Sequence, residues 1–332
     1  MLKLKSVDES LHIWLVRDGL PFGYGVLLAR ALQKKHSVVE IITDGWSERI
    51  ALQVRAGRSL RFLCKSLTRV GVRIDQEFAK GMIDISQDRN HRPYAISPDL
   101  IIVTESAVRA KFDLSKFHVP TAFVVIDPYI GFEEHVRDVN IQSYDHVFVS
   151  QRDYVDQYRE AGCQRVEWLP FACDLELQGR IAVPPRYTIA TVGAIHPKWG
   201  AERKRLFDLI SKSFADCWFG RAFGREMTQI YSSSKIVFNK SILKELNMRV
   251  FEALASGSML ITDRIQNGLL ELFSEDKDLV CYTSDEELIS KLRFYLNHPA
   301  ERESIAKQGH ESVMARHTYD HRAQQIVASM LP

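Results

Sequence analysis

Glu252 and Arg249 are the two charges in NMRVFEALASG, an otherwise apolar run that reads as a short helix from Met248 to Ser256. A spacing of three places both on one helix face. Asn247 stands at the cap position and Gly257 at the end. An apolar strand (Lys235 to Asn239) leads in through a polar loop, and another (Met259 to Thr262) follows, stopping at Asp263. A helix N-terminus that follows a strand is a ready anion site, because its N–H groups and the positive end of its dipole point outward. A carboxylate one turn later can accept hydrogen bonds from sugar hydroxyls. This β-loop-α-β unit therefore reads as a nucleotide-sugar pocket. Two plainer readings stay open: Glu252 faces solvent, or Arg249 is simply its ion-pair mate.

Other positions could join such chemistry. Gly193 ends a strand and is followed by AIHPKWGAERKR, from which Lys198 and Arg203 could face a diphosphate. They could equally be the exposed basic start of a helix. Phe223-Gly224-Arg225 gives a second glycine turn, where a nucleobase could stack. Asp127 ends the strand AFVVID at a carboxyl edge, where catalytic side chains collect but where caps are equally common. Asp174, closing LPFACD, reads as a hinge or cap. Gly23 and Gly25, after the first strand, allow either close approach of a ligand or a tight βα turn. The dinucleotide fingerprint would want Gly where Leu28 stands, although Asp44 lies where a ribose-binding acid would sit.

These positions need strands and helices in alternation, and the chain supplies them from end to end, which predicts parallel sheets covered by helices. Strands are expected at His12 to Val16, Val38 to Thr43, Leu100 to Thr104, Ala122 to Ile126 and His146 to Ser150, with a helix from Val26 to Lys34 and a long helical stretch from about Arg49 to Val70. Residues 75 to 98 are less regular. Residues 174 to 188, with Gly179, Pro184 and Pro185, read as a linker. Beyond it come a strand (Thr188 to Val192), a basic helix (Glu202 to Ser213), a short strand at Trp218, a helix ending near Ser233, and, after the opening unit, a strand at Leu279 to Tyr282. Ser284 to Glu287 has the spacing of a capping box for a helix to Asn297, and two helices fill residues 300 to 331.

A length of 332 residues favours two domains. With 44 basic and 42 acidic residues the net charge is +2, so there is no global polycation for nucleic acid. The five cysteines show neither CxxC nor metal-like spacing, which suits reduced thiols in a cytoplasmic protein. The N-terminus lacks the apolar core of a signal peptide, and no stretch approaches the roughly 20 apolar residues of a membrane span. Membrane contact is expected to be peripheral at most.

NMRVFEALASG, NGLLELF, LVCYTSDEELISKLRFYLNHPAERESIAKQG and HTYDHR resemble the carboxyl half of the CgeB-like glycosyltransferases, a group among the GT-B enzymes. YDHVFVSQRDYVDQYREAG and VEWLPFACD resemble the same group in its amino half. The resemblance covers most of residues 140 to 325, and the first 100 residues match only as a generic GT-B lobe.

It implies an α/β, GT-B architecture of two doubly wound Rossmann-like lobes facing across a cleft. Residues 1–175 would form the acceptor-side lobe and residues 186–318 the donor lobe, with the last helix (319–332) packing back on the first. By the same likeness Glu252 would hold ribose hydroxyls, and Arg249 with the helix start at Asn247 would face the donor. Gly193 and Arg203 would line the diphosphate, and Gly268 and Leu269 would present N–H groups near the sugar. Asp127 would face donor and acceptor, and the Gly23–Gly25 loop would lie on the acceptor side. Where related enzymes often carry a Glu eight positions before the ribose-binding one, this chain has Lys244, with Glu245 beside it. The expected activity is transfer of a sugar, with retention by analogy, from a nucleoside diphosphate to a hydroxyl of a glycan, lipid or protein. No metal or other cofactor is expected. Two rivals remain: an NAD-dependent oxidoreductase or epimerase using Gly23, Gly25 and Asp44, and a non-catalytic nucleotide-sugar-binding module.

Overall fold

The apolar runs pair into two all-parallel sheets in the computed structural model, which describes residues 9–18, 20, 23–43, 97–105, 118–196 and 198–331. Asp44, the helical stretch from Arg49 to Val70, the irregular segment up to residue 96 and Cys64 lie outside the described residues. The chain divides into two compact units. One comprises residues 1–150, 154–169 and 323–332; the other comprises residues 151–153 and 170–322.

The first unit holds β1 (His12–Asp18), β2 (Ser37–Thr43), β3 (Leu100–Thr104), β4 (Thr121–Val125), β5 (His146–Val149) and β6 (Val166–Trp168) in the order β2-β1-β3-β4-β5-β6. Strands β3, β4 and β5 are buried along their whole length, as expected of parallel strands covered on both faces. Trp14, Val16, Ile101, Val103, Phe123, Val125, Val147 and Val149 form the centre of the core. Residues 323–332, the end of the helix Tyr319–Met330, belong to this unit. There Ser329 donates to Glu167 Oε2 at 2.8 Å and Gln325 to the Trp168 carbonyl at 3.1 Å.

The second unit holds β7 (Tyr187–Val192), β8 (Cys217–Gly220), β9 (Ser234–Asn239), β10 (Met259–Asp263) and β11 (Val280–Tyr282) in the order β11-β10-β9-β7-β8. Its core gathers Ile189, Ile236, Phe238, Met259, Ile261 and Val280 under Leu206, Phe207, Ile210 and Leu288. The segment read as a linker begins inside this unit. Asp174 accepts hydrogen bonds from the N–H groups of Glu176 and Leu177 and so caps the helix Leu175–Gln178. In the expected capping box Ser284 accepts from Glu287 N, but the Glu287 carboxylate reaches one residue further back, to the N–H and hydroxyl of Thr283. The first and third strands of each unit are neighbours, with the second strand on the far side of the first. Each sheet therefore has its topological switch point beyond the carboxyl end of its first strand, the place where open α/β sheets bind ligands.

Candidate functional site

At the switch point of the second unit, the loops after β7 and β9 bring Gly193, Asn239, Asn247 and Arg249 together. Arg249 Nη1 donates to Asn239 Oδ1 at 2.8 Å, and Asn239, fully buried, donates in turn to Thr262 Oγ1 at 2.9 Å. The guanidinium lies against Gly193, where an added Cβ would stand 3.1 Å from Arg249 Nε. Glycine there lets a charged group lie close against backbone, which a side chain would crowd.

The helix Met248–Ala255 begins at Asn247, whose side chain makes no capping hydrogen bond. Asn247 Oδ1 is buried without a partner, although buried polar atoms in folded proteins are nearly always paired. One turn on, Glu252 is half-buried and accepts a hydrogen bond from Gln178 Nε2 at 3.0 Å. Burial pushes its carboxyl up to about 7, against the opposing pull of the Arg249 charge. Of the two plainer readings, a solvent-facing Glu252 does not fit this environment. The ion-pair reading is not what the geometry shows either: the hydrogen-bond partners are Gln178 for the acid and Asn239 for the base.

Arg203 is placed differently from the sequence expectation. It is 2% exposed, and its guanidinium donates to the Lys240 carbonyl at 2.6 and 3.1 Å and to the Ala194 carbonyl at 2.9 Å. It braces the loops after β7 and β9 from behind, and burial beside Arg249 lowers its pKa to about 10. The signal for this was in the sequence: Arg203, Leu206, Phe207 and Ile210 follow the spacing of one buried helix face. Lys198 is exposed, its ammonium 5.0 Å from the centre of the Trp199 ring. Gly268 adopts φ +79° before the helix Leu269–Leu272, and its N–H donates to the Gln266 carbonyl at 2.9 Å. Leu269 follows, its side chain fully buried. Phe223 is prominently exposed.

The loop that leads into the site is held by two carboxylates. Glu245 accepts from the N–H groups of Ile242 and Leu243, and Asp263 accepts from Ser241 N, Ser241 Oγ and Lys240 Nζ. Lys244, in the position where related enzymes carry a Glu, is exposed at φ +60°. The chain does contain an Asp-x-Asp, Asp276-Lys277-Asp278, which the expectation of a metal-free site overlooks. It sits in the turn before β11, at the amino edge of the sheet, where Asp278 accepts from Ser274 N at 2.8 Å. Among the described residues no group of three His, Cys, Asp or Glu side chains is placed to hold a metal ion.

In the first unit, Asp127 precedes the helix Pro128–Arg137, makes no capping bond, and accepts from Tyr129 Oη at 2.7 Å. Its backbone N–H donates to Glu105 Oε2 at 2.6 Å, and Ile126 N donates to the same oxygen. Behind Glu105, His135 Nε2 lies 3.4 Å from Oε1, and His135 Nδ1 meets Tyr158 Oη at 2.6 Å. After β1, a Cβ on Gly25 would stand 2.7 Å from Arg17 Cβ, and one on Gly23 would stand 3.1 Å from Leu20 Cβ. Gln151, Asn239 and Glu105 drew no attention in the sequence, and no local pattern marks them.

Residues 179–328, rather less than half of the chain, match a family model described as "Glycosyl transferase-like". No curated protein shows a sequence match to the chain. Among solved structures, Anabaena HepE in complex with UDP and glucose aligns over 96% of this chain and 99% of its own, with a TM-score of 0.65 and 14% identity. A glycosyltransferase from Rickettsia africae aligns over 97% and 98%, with a TM-score of 0.63 and 11% identity. The sucrose-phosphate synthase of Thermosynechococcus elongatus aligns over 96% and 98%, with a TM-score of 0.60 and 14% identity. The fold is that of the GT-B glycosyltransferases, α/β with two parallel sheets. Within it, the glycosyl transferase-like pattern falls, up to residue 322, on the unit that holds Arg249 and Glu252.

Proposed function

We propose that the chain is a glycosyltransferase of CgeB-like type that moves a hexosyl group from a nucleoside diphosphate-sugar to a hydroxyl of a glycan, lipid or protein. The observation that supports this best is the convergence at the second switch point of a helix N-terminus with an unpartnered cap, a guanidinium against a glycine, and a withdrawn carboxylate one turn on. In this reading the diphosphate lies at the helix start, with Arg249 opposite it, and the ribose hydroxyls donate to Glu252. Breaking the bond between the anomeric carbon and the diphosphate leaves charge on the phosphate oxygens. The Arg249 guanidinium and the helix dipole offset that charge, so no metal is required. Asp127 is the candidate for orienting the acceptor hydroxyl or taking its proton, and retention of configuration is the proposed course.

UDP is the first nucleotide to test, because structures with this fold hold UDP, UDP with glucose, and UDP-glucose. A cytoplasmic setting fits the described cysteines, all of them free, with burial raising the thiols of Cys163 and Cys217 to about 11 and those of Cys173 and Cys281 to about 12. No helix among the described residues is long and apolar enough to cross a membrane.

The deciding experiment is thermal stabilisation by UDP, GDP, dTDP, CMP and NAD, repeated with Glu252→Ala. A ligand present at about 100 times its Kd adds roughly 2.7 kcal/mol. Stabilisation by one nucleoside diphosphate that disappears in the variant is the expected result. Stabilisation by NAD alone, unchanged in the variant, would overturn the reading in favour of a dehydrogenase. Binding without turnover against any acceptor would leave a binding module.

A further inference from the structure

Gln151 is fully buried, and its side-chain amide meets both loops that frame the proposed donor site. Its Nε2 donates to the Leu246 carbonyl at 3.1 Å, and its Oε1 accepts from Leu246 N at 3.0 Å. The same Oε1 accepts from Asn267 Nδ2 at 2.7 Å, while Asn267 Oδ1 accepts from Asp153 N at 3.1 Å. Leu246 immediately precedes Asn247 and the helix start. Asn267 immediately precedes Gly268 and Leu269. These loops leave adjacent strands, β9 and β10, and 95 and 116 residues of sequence separate Gln151 from its two partners. Residues 151–153 belong to the second unit although their neighbours in sequence belong to the first.

A glutamine is suited to this place. One amide satisfies both the N–H and the C=O of Leu246, which at 0% exposure would otherwise face no water. The second lone pair of its oxygen is then available to Asn267. A buried polar network with its members satisfied fixes geometry in a way that apolar packing does not. An apolar residue of the same length could fill the volume but could not set the register of the two loops.

We propose that Gln151 is a positioning residue for the donor site. It clips the Leu246–Asn247 loop to the Asn267–Leu269 turn, so that the diphosphate-facing helix start and the sugar-facing turn keep a fixed separation. The inference rests on the donor reading given above. It also makes a claim that reading does not: positioning depends on a residue that touches neither nucleotide nor sugar. A displacement of about 1 Å at either loop is enough to weaken a preorganised site.

The test is Gln151→Met, which keeps the side-chain length and removes the hydrogen bonds, measured by titration with UDP, UDP-glucose and uridine. UDP and UDP-glucose are expected to bind at least tenfold more weakly, with uridine unchanged, because the clip holds the phosphate- and sugar-facing loops only. Amide exchange should rise together at 241–247 and 264–269. Equal weakening of uridine and UDP would show general loosening and overturn the proposal, as would an unchanged Kd for UDP. Asn267→Ala cuts the same clip from the other loop and carries the test if Gln151→Met does not fold; unchanged UDP affinity there also overturns it. A wild-type protein that binds no UDP would sink the UDP-donor reading and this inference with it. UDP binding retained in the variants would sink the inference alone.

Discussion

At the switch point of the first sheet, Gly25 lies against Arg17, and Arg17 Nε pairs with Glu40 at 2.5 Å. At the switch point of the second, the turn after β7 closes on a guanidinium that belongs to the next helix but two. The strand order around both points is the same, yet the glycines serve different ends. In the first unit they admit aliphatic carbon; in the second, Gly193 admits charge. The polar groups of the first unit gather instead at the ends of β3 and β4, around Glu105 and Asp127. Shared topology places an opening at each carboxyl edge, and local chemistry decides what, if anything, the opening receives.

The largest expected effect concerns Glu252, the carboxylate on the helix whose Arg249 lies against Gly193. Its pKa of about 7 lies above the ordinary value of 4.5, so ionising it costs the folded state. That cost is absent below about pH 4.5, grows as the pH rises through the window to 7, and is complete above it. Glu252→Gln removes it. The ligand-free variant should match wild type near pH 4.5 and exceed it at pH 8 by up to about 3 kcal/mol, read from chemical denaturation across that range. Hydroxyls donate better to a carboxylate than to a carboxylic acid. UDP-glucose affinity should therefore rise with pH through 7 in wild type and stay flat in the variant. A variant no more stable at pH 8 would mean that Glu252 is well solvated, and the contrast between the two switch points would lose its electrostatic basis.

Gly25→Ala probes the other side of the comparison. Arg17 Cβ is anchored to a central strand and cannot swing away from an added methyl group 2.7 Å distant. Overpacking of this kind costs about 2 kcal/mol. Denaturation should show the loss, and UDP affinity should be unchanged. Lost UDP affinity would restore the Gly23–Gly25 turn as a ligand site.

The strands of both sheets were legible because parallel strands buried on both faces are nearly continuous apolar runs, so most expected boundaries fall within two residues of those observed. β6 escaped because Val166–Trp168 is three residues long and carries Glu167 in its middle. Glu252 stood out because a lone acid in an apolar helix is a local anomaly, although its spacing alone left solvent exposure and an ion pair open. Gln151 was not, since a neutral amide bonded to loops about a hundred residues away leaves no periodic trace. Arg203 shows a third case. Its helical phase marked it as buried, but its charge suggested a ligand, and the structure followed the phase. Boundaries and periodicity are encoded locally, whereas hydrogen-bond partners are set by which loops the topology brings together.

The smallest expected effect separates the two kinds of glycine most finely. A Cβ on Gly193 would stand 3.1 Å from Arg249 Nε and 3.3 Å from its Cζ and Nη2. Those contacts are tighter than ordinary packing, but they meet the end of a flexible side chain rather than a strand. The guanidinium can shift a few tenths of an ångström without unfolding anything, so Gly193→Ala should cost little stability. The same shift strains the 2.8 Å bond from Nη1 to Asn239 and moves the charge relative to the helix start. Charge-assisted hydrogen bonds are directional, and an imperfect one forfeits about 1 kcal/mol, or roughly fivefold in UDP affinity. Calorimetric titration with UDP and a denaturation curve on the same sample give both numbers. Gly25→Ala should lose stability and keep affinity; Gly193→Ala should keep stability and lose affinity. If Gly193→Ala instead loses stability with UDP affinity intact, the glycine after β7 is a packing glycine like its counterpart after β1, and Arg249 does not face a ligand.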